Sequence, residues 1–121
     1  MRALLIVAHG SRRPASNDEV RTLCEAVAAR DKGLYDKVSC AFLELAEPSI
    51  PEGIEALIES GMRDITVVPY FLSAGRHVVE DIPAEVEKVV APQGVSIRIA
   101  PYLGSSESMA ELLLKQGRST G

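Results

Sequence analysis

The chain alternates two kinds of apolar pattern. Arg2 to Ala8 (RALLIVA) is a short continuous apolar run rich in branched residues, and it ends at His9-Gly10-Ser11. A strand buried on both faces reads this way, because neither side of it meets water. From Ser16 the period changes: Val20, Leu23, Cys24, Val27 and Ala28 fall at i, i+3, i+4, i+7 and i+8, and Ser16 with Glu19 has the spacing of a capping box. That pattern predicts an amphipathic helix. The unit then recurs. Lys37 to Glu44 (KVSCAFLE), Asp64 to Tyr70 (DITVVPY) and Val95 to Ala100 (VSIRIA) read as strands. A second capping box, Ser49-Ile50-Pro51-Glu52, opens a helix through Ile54, Leu57 and Ile58 that stops at Gly61. A third helix carries Ile82, Val86, Val89 and Val90 with Pro83 in its first turn. A last one, capped by Ser105 or Ser106, bears Met109, Leu112 and Leu113 before Gly117.

Strands alternating with helices predict right-handed crossovers and a parallel sheet covered on both faces. The expected architecture is a single three-layer α/β domain with a four-stranded parallel sheet flanked by helices. A length of 121 residues leaves room for one core, so the domain is placed at 1–116, with a frayed tail at 117–121. Apolar residues make up 46% and charged residues 25%, enough to bury that core. With 13 Lys+Arg against 17 Asp+Glu the balance is −4, which argues against a nucleic-acid footprint. The longest apolar run near the start, Ala3 to Ala8, is far short of the ~20 residues a membrane span needs, so a cytoplasmic protein is expected. Cys24 and Cys40 have neither redox nor zinc spacing and read as two reduced, buried thiols.

In open parallel sheets the ligand site lies outside the carboxyl ends of the strands. After the first strand come His9, Gly10, Ser11, Arg12 and Arg13; the second ends in Glu44; after the third come Ser73, Ala74, Gly75, Arg76 and His77. Both histidines of the chain therefore stand at one edge. Taken singly, each imidazole could merely hydrogen-bond a loop and Glu44 could be a solvated strand end. Together, two imidazoles and a carboxylate suit a divalent first-row ion, with coordination positions left open for chemistry or delivery. Arg12, Arg13 and Arg76 concentrate positive charge in the loops that carry the histidines, which suits a carboxylate or phosphate substrate. Tyr70, Phe71 and Tyr102 stand at strand ends, where they could line a flat ligand or pack the core. No G-x-G-x-x-G or Walker loop is present. The Arg that precedes the histidine in phosphohistidine phosphatases is replaced by Ala8.

The segments AHGSR at 8–12, FLELAEPSI at 42–50 and PYFLSAGRHVVEDIP at 69–83 resemble the short-form sirohydrochlorin chelatases of the CbiX type. Three separated segments agree in order and spacing, from the first strand to the third helix. The resemblance implies a class II chelatase, which inserts a divalent metal into a tetrapyrrole without ATP, and a chain equivalent to one half of the longer two-lobed relatives. It further implies that His9 and His77 are catalytic and metal-binding and that Glu44 helps to hold the metal. The metal is a substrate, cobalt first and iron or nickel as alternatives, and no organic cofactor is expected. The implied partners are a sirohydrochlorin-type tetrapyrrole and a second copy of the chain. Because that tetrapyrrole carries many carboxylates, Arg12, Arg13 and Arg76, with the backbone N–H groups of Ser11, Ser73 and Gly75, are the expected substrate contacts. Asp81, four residues after His77, either orients the imidazole or caps the third helix. Two other readings compete: a non-catalytic metal or tetrapyrrole carrier using the same site, and a small metallohydrolase, although no H-E-x-x-H helix is present.

Overall fold

A computed structural model describes residues 1–120; Gly121, the last residue of the expected tail, lies outside the described residues. The strands are β1 (Arg2–Ala8), β2 (Lys37–Phe42), β3 (Asp64–Pro69) and β4 (Ser96–Ile99). The helices are α1 (Pro14–Arg30), α2 (Ile50–Glu59), α3 (Ile82–Glu87) and α4 (Met109–Arg118). A π-helical turn, His77–Asp81, runs directly into α3, and a 3-10 turn, Leu103–Ser105, precedes α4. The four strands form one parallel sheet in the order β2-β1-β3-β4. The chain therefore steps from β1 outward to β2, then crosses back to the other side of β1 for β3. The gap between the carboxyl ends of β1 and β3 is the topological switch point, where loops diverge and leave a crevice.

The period-two alternation of the strands sorts their side chains. Ala3, Leu5 and Val7 of β1, Ala41 of β2, and Ile65 and Val67 of β3 point to one face, where Ile50, Ile54 and Leu57 of α2 and Ile82 of α3 close a fully buried core. Leu4 and Ile6 point to the other face, toward α1. Gly53 brings α2 close to the sheet: a Cβ there would stand 3.1 Å from that of Ala41.

The second capping box forms as expected. The Ser49 N–H donates to Glu52 Oε1 at 2.9 Å and the Glu52 N–H donates to Ser49 Oγ at 3.2 Å. These bonds hold the Glu52 carboxyl below the usual carboxylate range, so its share of stability is present at neutral pH and is lost as acid titrates it. Ser49→Ala is expected to cost about 1 kcal/mol and lower the melting temperature by about 4 °C in a thermal scan.

The first capping box does not form. Pro14, with its φ preset for helix, begins α1 two residues before Ser16, Arg13 stands at the N-cap without a side-chain bond, and Ser16 and Glu19 lie inside the helix. The expected apolar face of α1 is only partly covered: Cys24 is buried, Val20 and Val27 are half-buried, and Leu23 and Ala28 are exposed. Cys24 and Cys40 are free, and burial pushes the Cys24 thiol up to about 11, which keeps it an inert packing residue at neutral pH.

Several boundaries shift. β2 ends at Phe42, so Glu44 lies two residues beyond its strand, while β3 stops at Pro69 and β4 is trimmed to Ser96–Ile99. The third helix ends at Glu87 and leaves Val90 exposed. Neither Ser105 nor Ser106 caps α4. Ser105 closes the 3-10 turn, Ser106 Oγ accepts from the Ser108 N–H at 3.1 Å, and α4 starts at Met109 and runs through Gly117 to Arg118.

Candidate metal-insertion site

Hydrogen bonding continues past the strand ends and ties the loops together. The Leu43 N–H donates to Ala8 O at 2.9 Å and the Glu44 N–H donates to His9 O at 3.0 Å, so the loop after β2 is laced to the loop after β1. Gly10, at φ 95°, makes that approach possible: a Cβ on it would fall 1.7 Å from the Glu44 carbonyl oxygen. The next residue, Leu45, also takes a positive φ of 67°, a conformation costly for a branched side chain and concentrated at functional loops. Arg21 braces the far end of this loop, donating to Glu47 O at 2.9 Å while its guanidinium carbon stands 5.1 Å from the centroid of the Phe42 ring.

His9 and His77, 68 residues apart in the chain, meet across the switch point. Their ring centroids are 4.7 Å apart at an interplanar angle of 69°. Phe71 stands behind both, at 6.5 Å from His9 and 6.4 Å from His77, and also packs against the core. Both imidazoles are held by their Nδ1 atoms. His9 Nδ1 lies 3.0 Å from Gly10 O, and His77 Nδ1 lies 2.8 Å from Asp81 Oδ2. A carbonyl or a carboxylate can only accept, so each Nδ1 carries a proton, and in the neutral ring Nε2 is the atom that offers a lone pair to a metal or a proton.

The Asp81 contact decides between the two roles open to that residue. The π-helical turn starts the helical stretch at His77, so Asp81 already lies inside it, makes no cap hydrogen bond, and shares a face with His77. Asp81→Asn, which exchanges a full charge for a dipole at Nδ1, is expected to weaken cobalt(II) binding about 10-fold, readable by isothermal titration.

The remaining sequence candidates distribute unevenly. Glu44 is exposed beside His9 in the backbone sense, but β2 lies two strand spacings, ~10 Å, from β3. Among the described residues no group of three or more His, Cys, Asp and Glu side chains is poised around one point. The structure thus pairs His9 with His77, and Glu44, whose backbone N–H bonds His9 O, does not form a ready three-ligand group with them. Arg12, Arg13, Ser73, Gly75 and Arg76 are all exposed at the same edge, with Arg76 paired to Glu80 at 3.6 Å. The Ser11 N–H is already engaged: it donates to Asn17 Oδ1 at 2.9 Å, and Asn17 Nδ2 returns a bond to Ser11 O at 2.8 Å. Asn17 is the buried polar residue that fixes this loop, and its signal in the sequence was a polar side chain on the buried stripe of α1, three residues before Val20. Leu45 and Leu72 in the loops and Val79 in the π-helical turn, which no sequence pattern marks, also leave large apolar surface exposed. The edge therefore combines exposed apolar side chains, basic loops and two adjacent imidazoles.

Known proteins resemble this chain along most of its length. The chain is 29% identical to the sirohydrochlorin cobaltochelatase of Methanococcus aeolicus, over 98% of this chain and 99% of that one. It is 34% identical to the sirohydrochlorin ferrochelatase of Priestia megaterium, over 99% of this chain but 45% of that one. Among solved structures, the sirohydrochlorin chelatase SirB from Bacillus subtilis subspecies spizizenii in complex with cobalt superposes with a TM-score of 0.83 at 29% identity. That superposition covers 98% of this chain and 50% of SirB, so the chain spans about half the length of these two longer relatives. The CbiX family model matches residues 3–120, and the chain belongs to that family.

Proposed function

We propose that this protein is a sirohydrochlorin chelatase that inserts a divalent metal, cobalt(II) as its physiological substrate ion, without ATP and without an organic cofactor. The observation that carries the reading is the His9–His77 pair at the switch point, both rings presenting Nε2, in a chain whose relatives are named cobaltochelatases and ferrochelatases.

Insertion requires that the ion shed its waters and that two pyrrole N–H bonds break, the electron pairs staying on nitrogen and the two protons leaving. A pair of imidazole Nε2 atoms can do both tasks in turn. Each ligates a first-row ion reversibly, and imidazole as a class accepts protons near neutral pH. Asp81 stabilises the positive charge that His77 gains on accepting a proton, and Gly10 O does so more weakly for His9. Glu44 completes the proposed ligand set by turning its exposed carboxylate toward the imidazoles. Two histidines and one carboxylate hold the ion loosely enough to release it into the macrocycle. Leu45, Leu72, Val79 and Phe71 supply the apolar wall for the ring system, while Arg12, Arg13 and Arg76, with the N–H groups of Ser73 and Gly75, meet its carboxylates. The Ser11 N–H is withdrawn from that set because Asn17 holds it.

One edge of one chain offers a planar tetrapyrrole a single wall, so the reading includes a twofold dimer with the two edges facing a shared cleft. It places the reaction in the cytoplasm, where Cys24 and Cys40 stay reduced. Incubation with sirohydrochlorin and cobalt(II), iron(II) or nickel(II), followed by visible absorption, tests the reading. Faster conversion with cobalt than with the other ions is expected. No acceleration over the uncatalysed reaction overturns the enzyme, and stoichiometric uptake without turnover assigns the carrier role instead.

A further inference from the structure

Arg21 of α1 spends its side chain on a loop 26 residues further along the chain. Its guanidinium is engaged in three ways at once. Nη1 donates to Asp18 Oδ1 at 2.9 Å, Nη2 donates to Glu47 O at 2.9 Å, and the guanidinium carbon stands over the buried Phe42 ring. An exposed ion pair between neighbouring turns of a helix contributes little by itself. Asp18 has a second effect here: it fixes the plane of the fork, so that the other limb meets the Glu47 carbonyl.

Residues 43–48 form a closed loop. The Phe42 N–H donates to Pro48 O at 2.9 Å, which brings its ends together, and the Glu44 N–H donates to His9 O at 3.0 Å. Leu45, next to Glu44, holds φ at 67°. A branched side chain keeps such a conformation only where its surroundings over-determine it. Among the described residues, Arg21 is the one side chain that hydrogen-bonds the backbone of this loop. Asn17, four residues earlier and on the same face of α1, holds the loop after β1 through both bonds to Ser11. One helix thus grips the loop that carries His9 and the loop that carries Glu44.

We infer that Arg21 is a positioning residue for metal binding. It holds the 43–48 backbone where the Glu44 carboxylate reaches an ion on His9 and His77 by turning about its own side-chain bonds alone. Without that hold the loop relaxes at Leu45, and binding has to order it again, which costs affinity. The inference rests on the proposed role of Glu44 as third ligand and deepens it by naming what sets its place. Charge separates this role from simple electrostatics. By Coulomb interaction alone, removing the Arg21 cation favours a divalent ion nearby. Loss of the hold acts in the opposite sense, so weaker binding reports position.

The test is isothermal titration of the full chain with cobalt(II), without tetrapyrrole, for the wild type, Arg21→Met, Glu44→Gln and the double variant. Far-UV circular dichroism verifies folding. Methionine keeps an apolar stem over Phe42 but offers no donor. Arg21→Met is expected to weaken cobalt(II) binding about 10-fold and Glu44→Gln by a similar factor. The double variant is expected to bind within about 2-fold of Glu44→Gln alone, because holding a loop without its ligand gains nothing. Arg21→Lys, which keeps the charge but not the planar fork, is expected to fall between the wild type and Arg21→Met, and it replaces Arg21→Met in the cycle if that variant does not fold. Unchanged or tighter binding by Arg21→Met overturns the inference. So does an equal loss in both backgrounds, which makes Arg21 a general support of the fold while Glu44 keeps its role. Wild-type affinity in Glu44→Gln overturns the ligand role of Glu44 and the inference with it.

Discussion

His77→Ala is expected to lower kcat for cobalt insertion by about 100- to 1000-fold while moving the melting temperature by no more than about 2 °C. The size follows from the two tasks assigned to one atom. Nε2 of His77 ligates the entering ion and accepts a pyrrole proton, and its imidazole is the only one whose Nδ1 is backed by a carboxylate, at 2.8 Å from Asp81. Removing the ring leaves His9 to serve both pyrrole nitrogens and leaves Asp81 without its partner. Stability is spared because the His77 side chain is 46% exposed and carries little of the core. His9→Ala is expected to lose less, since its Nδ1 bonds only a backbone carbonyl. The rate of appearance of the metallated product at saturating cobalt(II) is the measurement, with His9→Ala and Asp81→Asn in parallel. Retention of activity within tenfold by His77→Ala would remove this residue from the chemistry.

Gly10→Ala is expected to destabilise the fold by about 3 kcal/mol or more and to lower the melting temperature by over ~10 °C. Two costs add. An alanine must adopt φ near 95°, where its Cβ crowds its own backbone, and that Cβ would lie 1.7 Å from the Glu44 carbonyl oxygen, inside any allowed contact. Relief requires the 43–45 loop to move away, which breaks the bond from the Glu44 N–H to His9 O and releases Leu45 from its positive φ. Activity therefore falls with stability, because the loop that carries Glu44 and the loop that carries His9 separate. Gly75→Ala is the paired control: an added Cβ there meets nothing within 4 Å, and its cost is expected to stay under about 0.5 kcal/mol. Equal melting temperatures for the two variants would show that the close approach at Gly10 is not needed.

Local chemistry carried far along this chain where one mechanism acted alone. The capping box at Ser49 and Glu52 formed because nothing nearby competed for the start of α2. At α1 two start signals stood two residues apart, and Pro14 prevailed over Ser16 because a preset φ begins the helix before a side chain can bond. Asp81 showed the converse. Its spacing from His77 allowed both a cap and an imidazole partner, and only the π-helical turn, which starts helical geometry at His77, decided for the partner.

The order of the four strands and four α-helices along the chain, the parallel sheet, and the edge at which both histidines stand follow from apolar periodicity and turn residues, local properties that survive without knowledge of the fold. The sequence also marked His9, Glu44 and His77 as candidates. Which of them meet depends on how the strands are ordered in the sheet. The order β2-β1-β3-β4 sets β1 beside β3 and so brings His9 to His77, whereas it puts β2, and Glu44 after it, on the far side of β1. Strand order depends on contacts between residues distant in sequence, and no period in a single strand records its neighbours. The same holds for α4, whose leucines read as a core-facing helix until the sheet showed that its own chain leaves them uncovered.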